Sequence, residues 1–321
     1  MIDDFELERQ LQVINKPSLK SIQTEFRYIV DCVDIYKQLA FDHPLLKDHK
    51  LQRKPSFRNS FEKTSINNSS REFIFGLPKE KCPKGTVPIR RTKKDDLIQE
   101  KSSFYNQSMV QDVPGVHVAP QFHNGSTGTY VFSAWTSDNF KQTGCYNLQC
   151  SGFVQISQDN FIGSQLHKIS VYGGQMADIT ISITMDRYTK NWWLSVVGHD
   201  IGYYPAELFS NMASADRVGW GGRTVTPPGL PSPQMGSGIF PDGNFLHAAY
   251  FKFISFQNED RKDVAPNKHM IDAFVDKFDC FNTTEKKEEI SEVFSYLEDP
   301  VACVAIDDRN IQLSKVENES T

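Results

Sequence analysis

General acid–base work needs two side chains that hold opposite protonation states at one pH, and the middle of this sequence is short of glutamate. Between Lys101 and Asn258 the only glutamate is Glu207, within Pro205-Ala206-Glu207-Leu208-Phe209. That run reads as the first turn of a short surface helix, where an acid stabilises the N-terminus. His199 and Asp200 are chain neighbours in an expected loop, with no third ligand at a metal-binding spacing. His117 falls on an expected strand beside Asp112 and Asp138, and its role is undetermined by spacing. Gly236-Ser237-Gly238 lacks the second spaced glycine and the strand-to-helix setting that expose a nucleophilic serine, and reads as a tight turn. Neither a metal site nor a cofactor is expected.

Six cysteines, Cys32, Cys82, Cys145, Cys150, Cys280 and Cys303, lack the paired C-x-x-C or Cys/His clusters of a zinc site. Their even number points to disulfides. Cys145 and Cys150 are close enough to pin a short loop, and Cys280 with Cys303 forms a second candidate pair, which leaves Cys32 and Cys82 in the N-terminal part. Connectivity stays open at this level. Sequons at Asn67, Asn106, Asn124 and Asn282 are glycosylation candidates, and Asn68 and Asn318 also head sequons. Against this secretory pattern, the acidic start from Met1 to Arg9 lacks the basic and then apolar pattern of a signal peptide, and alone reads as cytoplasmic. No apolar run reaches the ~18 residues of a membrane helix. The net charge of −5 is spread without a basic stripe, which argues against nucleic acid.

The 321 residues, 39% hydrophobic, suffice for one large core with an appendage. A helix is expected over 3–15, ending at Lys16-Pro17. Residues 18–70 are mostly polar, broken by Pro44 and Pro55, and end in a Ser/Asn-rich linker. An extended run follows from Cys82 to Arg91, then a charged helix near 94–100. After Met109 short β-branched and aromatic runs alternate with turn residues, at 128–134, 152–156, 168–172, 177–185, 191–197 and 248–256. Ile179, Ile181 and Ile183 alternate with polar residues at the period of a half-buried strand. Trp192 and Trp193 must face opposite ways on a strand. Helical spacing returns at 267–278 and 285–298. The predicted fold is mainly β, an antiparallel double-sheet sandwich with bent strands, preceded by a small helix-containing segment.

Several runs, taken in order, resemble the plant neprosin family. Leu7 to Leu11, Asn15-Lys16-Pro17, Asp31 to Gln38 and Ala40 to Lys47 look like its activation peptide. Trp135-Thr136-Ser137-Asp138, Thr143-Gly144-Cys145-Tyr146-Asn147, Gly152 to Gln155, Asn191 to Leu194, Gly202 to Pro205, Trp220-Gly221-Gly222 and Gln234 to Gly238 look like its catalytic domain. On that resemblance, residues 1–75 form the activation-peptide-like segment, 76–108 a junction, 109–270 the catalytic-type domain and 271–321 a charged C-terminal segment. The resemblance implies a secreted glutamic endopeptidase, active in acid, cleaving next to proline in a cleft between two sheets and kept latent by its propeptide. Trp135, Tyr146, Asn147, Trp193 and Arg223 are the cleft candidates, with core packing the default reading for Trp135 and Tyr146. A peptide or protein, proline-rich segments included, is the partner that the resemblance implies; nucleic acid and membrane are not, and the oligomeric state stays open.

The sequence departs from the family at the carboxyl pair. The glutamate expected after Trp-Gly-Gly is Arg223, and the one expected shortly before a Gly-Trp-x-Val-x-Pro strand, matched here by Gly115 to Pro120, is Val113. The stretch between Cys82 and Trp135 is also shorter than the family implies. The expectation is a relative that binds peptides without cutting them, with Arg223 favouring a ligand carboxylate. Two alternatives are an endopeptidase using other acids, such as Asp138 or Asp178, and a truncated product that does not fold.

Overall fold

A computed structural model describes residues 4–57, 74–103, 112–118, 123, 125–137, 143–209, 214–215, 218–221, 237, 242, 244–267, 269 and 271. The elements are α1 (Asp4–Ile14), β1 (Ser18–Gln23), β2 (Ile29–Asp34), β3 (Thr86–Arg90), α2 (Lys94–Ser103), β4 (Asp112–Val118), β5 (Thr129–Trp135), β6 (Cys145–Tyr146), β7 (Val154–Gln155), β8 (Ile181–Met185), β9 (Trp192–Val196), β10 (His199–Tyr204), β11 (Phe256–Gln257) and β12 (Asp263–Val264). The fold is mainly β with antiparallel sheets, as the sequence predicts. Chain contacts divide it into residues 1–169 with 178–213, and residues 170–177 with 214–321.

In the first unit, α1 begins on acidic residues, buries only Leu7 and stops before Pro17. The polar run after it holds two strands that composition conceals. β1 exposes all but Ile22, so its own side chains give little drive to fold; it is held by antiparallel pairing to β2, whose Val30, Asp31, Cys32 and Val33 are buried. β3 closes this sheet on the other side of β2, and Pro88 is tolerated because β3 is an edge strand. The Cys32–Cys82 disulfide ties the central strand to the loop entering β3, and Cys82 N–H donates to Gln158 C=O at 3.1 Å.

Two further sheets, ordered β4-β5-β6 and β7-β10-β9-β8, enclose one apolar layer. Val131, Trp135 and Cys145 reach it from the first sheet; Met185, Trp192, Leu194, Val196, Ile201 and Tyr204 reach it from the second. Period-two alternation turns Trp193 to the opposite face of β9, where it joins Ala40, Val154 and Tyr203 in a second cluster covered by Phe41, Leu51 and Phe57 of the N-terminal segment. Gly202 on β10 lies against β7: a Cβ there would come within 2.2 Å of the Val154 carbonyl oxygen and 2.7 Å of the Phe153 ring. Because a backbone atom cannot retreat as a side chain can, Gly202→Ala should cost about 3 kcal/mol, read as a lower urea midpoint at unchanged slope; an unshifted midpoint would contradict this packing.

In the second unit, a turn at Val171–Gln175 carries Gly173 at φ 65°, whose N–H donates to Leu246 C=O. Tyr172 stacks on His247, which contacts Asp242 at 2.6 Å, and β11 pairs with β12. The expected strand at 168–172 is not formed: Ile169 and Val171 are exposed, and the backbone enters the glycine turn instead of a ladder. Of the run 248–256, only Phe256 is in a strand. The helices expected over 267–278 and 285–298, with Cys280 and Cys303, lie outside the described residues apart from 267, 269 and 271.

Candidate functional site

The register of β4, β5 and β6 aligns Val113 with Ala134, and Ala134 with Tyr146. Directly opposed residues share a sheet face, so position 113 falls in one row with Ala134 and Tyr146. His117, four residues along β4, pairs with Tyr130, and the intervening pair is Gly115 with Phe132. Gly115 is needed there, since a Cβ would come within 2.9 Å of the Phe132 ring. This face is thus built from His117, Tyr130, Phe132 and Tyr146, with His117 stacked on both Phe132 and Tyr146.

Arg90, at the end of β3, enters this cluster from the N-terminal sheet. Its guanidinium lies 4.8 Å from the Tyr28 ring centroid and 5.4 Å from that of Tyr130, and Nη1 is 2.8 Å from Nδ1 of His123. His123 is buried, stacks on Tyr130, and places Nε2 3.0 Å from Nε2 of His117. The Tyr146 hydroxyl is 3.1 Å from His117 Nδ1 and 2.8 Å from Nε2. Burial first, and then the positive charge of Arg90, lower the pKa of His117 to about 4. Burial, Arg90 and His117, in that order, lower that of His123 to about 2. Both rings are therefore neutral at mildly acidic and neutral pH.

Beside this cluster a cleft is lined by Arg90, Asp96, His123, Tyr146, Asn147 and Gly163. Asn147 adopts φ 51°; its N–H donates to Ser133 C=O at 2.7 Å, and its Oδ1 accepts from Ser133 N–H at 3.0 Å. The Cys145–Cys150 disulfide brackets that turn and confirms the short-loop pairing expected from sequence. Asp96 is buried in the first turn of α2, where its carboxylate accepts from the Lys93 N–H at 2.7 Å. Burial raises its pKa, partly offset by that hydrogen bond and by Arg90.

A second constellation joins the N-terminal segment to β9 and β10. The Gln38 and Gln155 pair is reciprocal: Gln38 Nε2 donates to the Gln155 carbonyl and Gln38 Oε1 accepts from its N–H, both at 2.9 Å. Side-chain amide atoms thus imitate a neighbouring strand at the edge strand β7. The buried Asp186 carboxylate accepts from Gln52 Nε2, Ser56 N–H and Ser56 Oγ at 2.7–2.8 Å, and from the Tyr188 and Thr189 N–H groups. Burial works to raise its pKa, but these hydrogen bonds prevail and hold it well below the usual carboxylate range. Glu207 sits in a short 3₁₀ turn, half-exposed, 2.9 Å from His49, whose other nitrogen meets the Tyr203 hydroxyl.

Of the five cleft candidates, Tyr146 and Asn147 line the cleft beside His123. Trp135 is buried between the two sheets, edge-on to Phe209. Trp193 is buried beneath the N-terminal segment, and its indole N–H donates to Gln52 Oε1 at 3.2 Å. Arg223 lies outside the described residues, as do Asp138 and sequon residues Asn67, Asn68, Asn106, Asn124, Asn282 and Asn318. His199 and Asp200 open β10, where Asp200 accepts from Ser195 Oγ at 2.6 Å. No group of three metal-ligating side chains occurs among the described residues. Arg90, Asp96 and His123 are the site residues that spacing missed; only the pairing of β3 beside β2 brings Arg90 to a histidine 33 positions away.

A double-layer antiparallel protein with a strand-rich N-terminal segment clamped on its second sheet is the class that this geometry defines. Residues 98–296 match the family model described as Neprosin, and residues 21–129 match the one described as Neprosin activation peptide. The chain belongs to the neprosin family. The two matches share residues 98–129, which include His117 and His123.

Proposed function

We propose that this neprosin-family chain binds peptides, proline-rich segments foremost, without cutting them. The observation carrying the reading is the row Val113–Ala134–Tyr146: valine stands at a site position where the family resemblance calls for a glutamate, and valine neither takes nor gives a proton. Arginine at position 223 removes the second carboxyl and has no lone pair to act as a base. An extracellular or secretory location accords with the four described cysteines, all of which are paired, because such bonds persist in oxidising compartments.

The test is cleavage of a proline-containing fluorogenic peptide across acidic pH by the natural chain and by a Val113→Glu, Arg223→Glu double variant. The natural chain should give no turnover. Cleavage by the natural chain would overturn the reading and favour a second one, an acid peptidase using Asp96, whose buried carboxyl with raised pKa lines the cleft beside Tyr146. Loss of that cleavage in Asp96→Asn would then identify the acid.

A further inference from the structure

The two arginines at the end of β3 differ in what holds them. Arg91 is engaged by Asp31, through hydrogen bonds of 2.6 and 2.7 Å, and by Ser21. Arg90 has no carboxylate in ion-pair contact among the described residues. The Tyr28 and Tyr130 rings cover its guanidinium, and Nη1 contacts His123 Nδ1 at 2.8 Å and the Gly163 carbonyl oxygen at 3.4 Å. No described residue accepts from Nε or Nη2, so part of the donor fork stays open in the cleft wall. Asn147 lines the same cleft and is nine-tenths buried. Its Oδ1 is held by the Ser133 N–H, while its Nδ2 has no acceptor among the described residues. The two side chains flank Gly163: a Cβ there would stand 3.7 Å from Arg90 Cδ and 3.8 Å from Asn147 Nδ2. At φ 86° this position disfavours a side chain, which leaves the space between the donors open.

We propose that this cleft binds a carboxylate group, whose oxygens accept from the open edge of the Arg90 guanidinium and from Asn147 Nδ2. The C-terminus of a peptide and a free monocarboxylate carry the same group. An anion is favoured over a neutral acceptor because a planar guanidinium matches a carboxylate in shape, and charge-assisted hydrogen bonds are about twice as strong as neutral ones. Asp96 is the acid on the cleft lining, and its charge opposes the ligand. Its Oδ2 accepts from the Lys93 N–H, and burial, which raises its pKa, limits that opposition. Gln149, also on the lining, buries its Oε1 without a partner, and a half-turn of this amide presents N–H to the cleft instead. For a peptide terminus the inference rests on the peptide-binding reading above and fixes which end of the ligand enters. For a free carboxylate it stands apart from that reading.

Nitrogen-15 NMR that follows the Asn147 side-chain amide and the Arg90 Nε–H decides it. The probes are acetate, an N-acetylated peptide of alternating proline and glutamine with a free C-terminus, and the same peptide as its C-terminal amide. Acetate and the free-acid peptide should shift both signals, and the amide should bind at least about tenfold more weakly than the acid. Asn147→Asp suits the same backbone at φ 51° and keeps the oxygen that accepts from Ser133, but it replaces the Nδ2 donor by a second oxygen. With folding checked by circular dichroism, it should lose both the preference for the acid and the acetate shift at Arg90. Asp96→Asn keeps an acceptor for the Lys93 N–H, removes the opposing charge and should tighten acetate about threefold; it decides alone if Asn147→Asp does not fold, and no tightening then overturns the proposal. Acid and amide peptides bound equally, or shifts that survive in folded Asn147→Asp, also overturn it. Acetate bound without either peptide keeps the carboxylate site and sinks the peptide reading. Unmoved signals with all the probes overturn the site.

Discussion

Acidified from neutral pH to about 4, the folded protein is expected to lose roughly 3–6 kcal/mol of stability. His117 and His123 have folded pKa values lowered to about 4 and about 2, below the ~6.5 of an unfolded histidine. A base whose folded pKa is depressed gives stability that is present above the unfolded value and is lost as the pH falls toward the folded one. Each ring thus removes about 1.4 kcal/mol per pH unit below 6.5, His117 until about pH 4 and His123 further. Asp31, Asp159 and Asp186, whose pKa values are lowered, keep their contribution in this window and lose it only below the ordinary carboxylate range. Asp96 has a raised pKa and acts with the opposite sign, favouring the fold on acidification. Since whole domains are stable by only about 5–15 kcal/mol, the two histidines dominate. Urea midpoints at several pH values between 7 and 4.5 would show it, and a His117→Phe, His123→Phe variant should give a flatter profile. A midpoint that does not move over that range would contradict the neutral buried pair. A fold that weakens in acid suits a binding protein better than the acid-working endopeptidase that the family resemblance implies.

Asp186→Ala should be the most damaging single substitution in the contact between the N-terminal segment and the second sheet. The carboxylate accepts from Gln52, from both donors of Ser56 and from the Tyr188 and Thr189 N–H groups, so truncation leaves several buried donors without a partner. Gln52 loses its anchor at the same time. Its Oε1 accepts from Thr189 Oγ1 and Asn191 Nδ2 at 2.8 Å and from Trp193 Nε1, which couples one carboxylate to much of β9's outer face. Charge-assisted hydrogen bonds contribute about 1.5–3 kcal/mol each and do not add fully, so a loss of about 4 kcal/mol is expected, near 10 °C in melting temperature for a domain of this size. Asp186→Asn, which keeps one acceptor oxygen, should fall between. Calorimetry of the three proteins is the check, and a change under about 1 kcal/mol in Asp186→Ala would mean that the clamp does not hold the segment.

Much of the sandwich was legible before folding because its strands carry their own signal. Thr129–Trp135 and Trp192–Val196 are rich in aromatic and β-branched residues and form where the pattern places them, and Trp192 and Trp193 face opposite clusters as a two-residue period requires. The short-range disulfide was legible for the same local reason. β1 was not, because a polar edge strand owes its conformation to the partner it pairs with and hardly at all to its own side chains. Ile169 and Val171 misled in the other direction: alternation alone makes no strand when the glycine turn that follows leaves no ladder to join.

The sequence by itself determined that Glu207 is the only glutamate between Lys101 and Asn258 and that valine and arginine stand at positions 113 and 223, since such a count requires no coordinates. It also determined the family, through runs whose order along the chain carries the resemblance. Only the tertiary structure decided which side chains share the sheet face of position 113. Arg90, His117, His123 and Tyr146 come from four separate segments, and strand register and β3's place beside β2 bring them together. Their protonation follows from burial and from one guanidinium at hydrogen-bond distance, quantities that exist only once the chain has excluded water from the site.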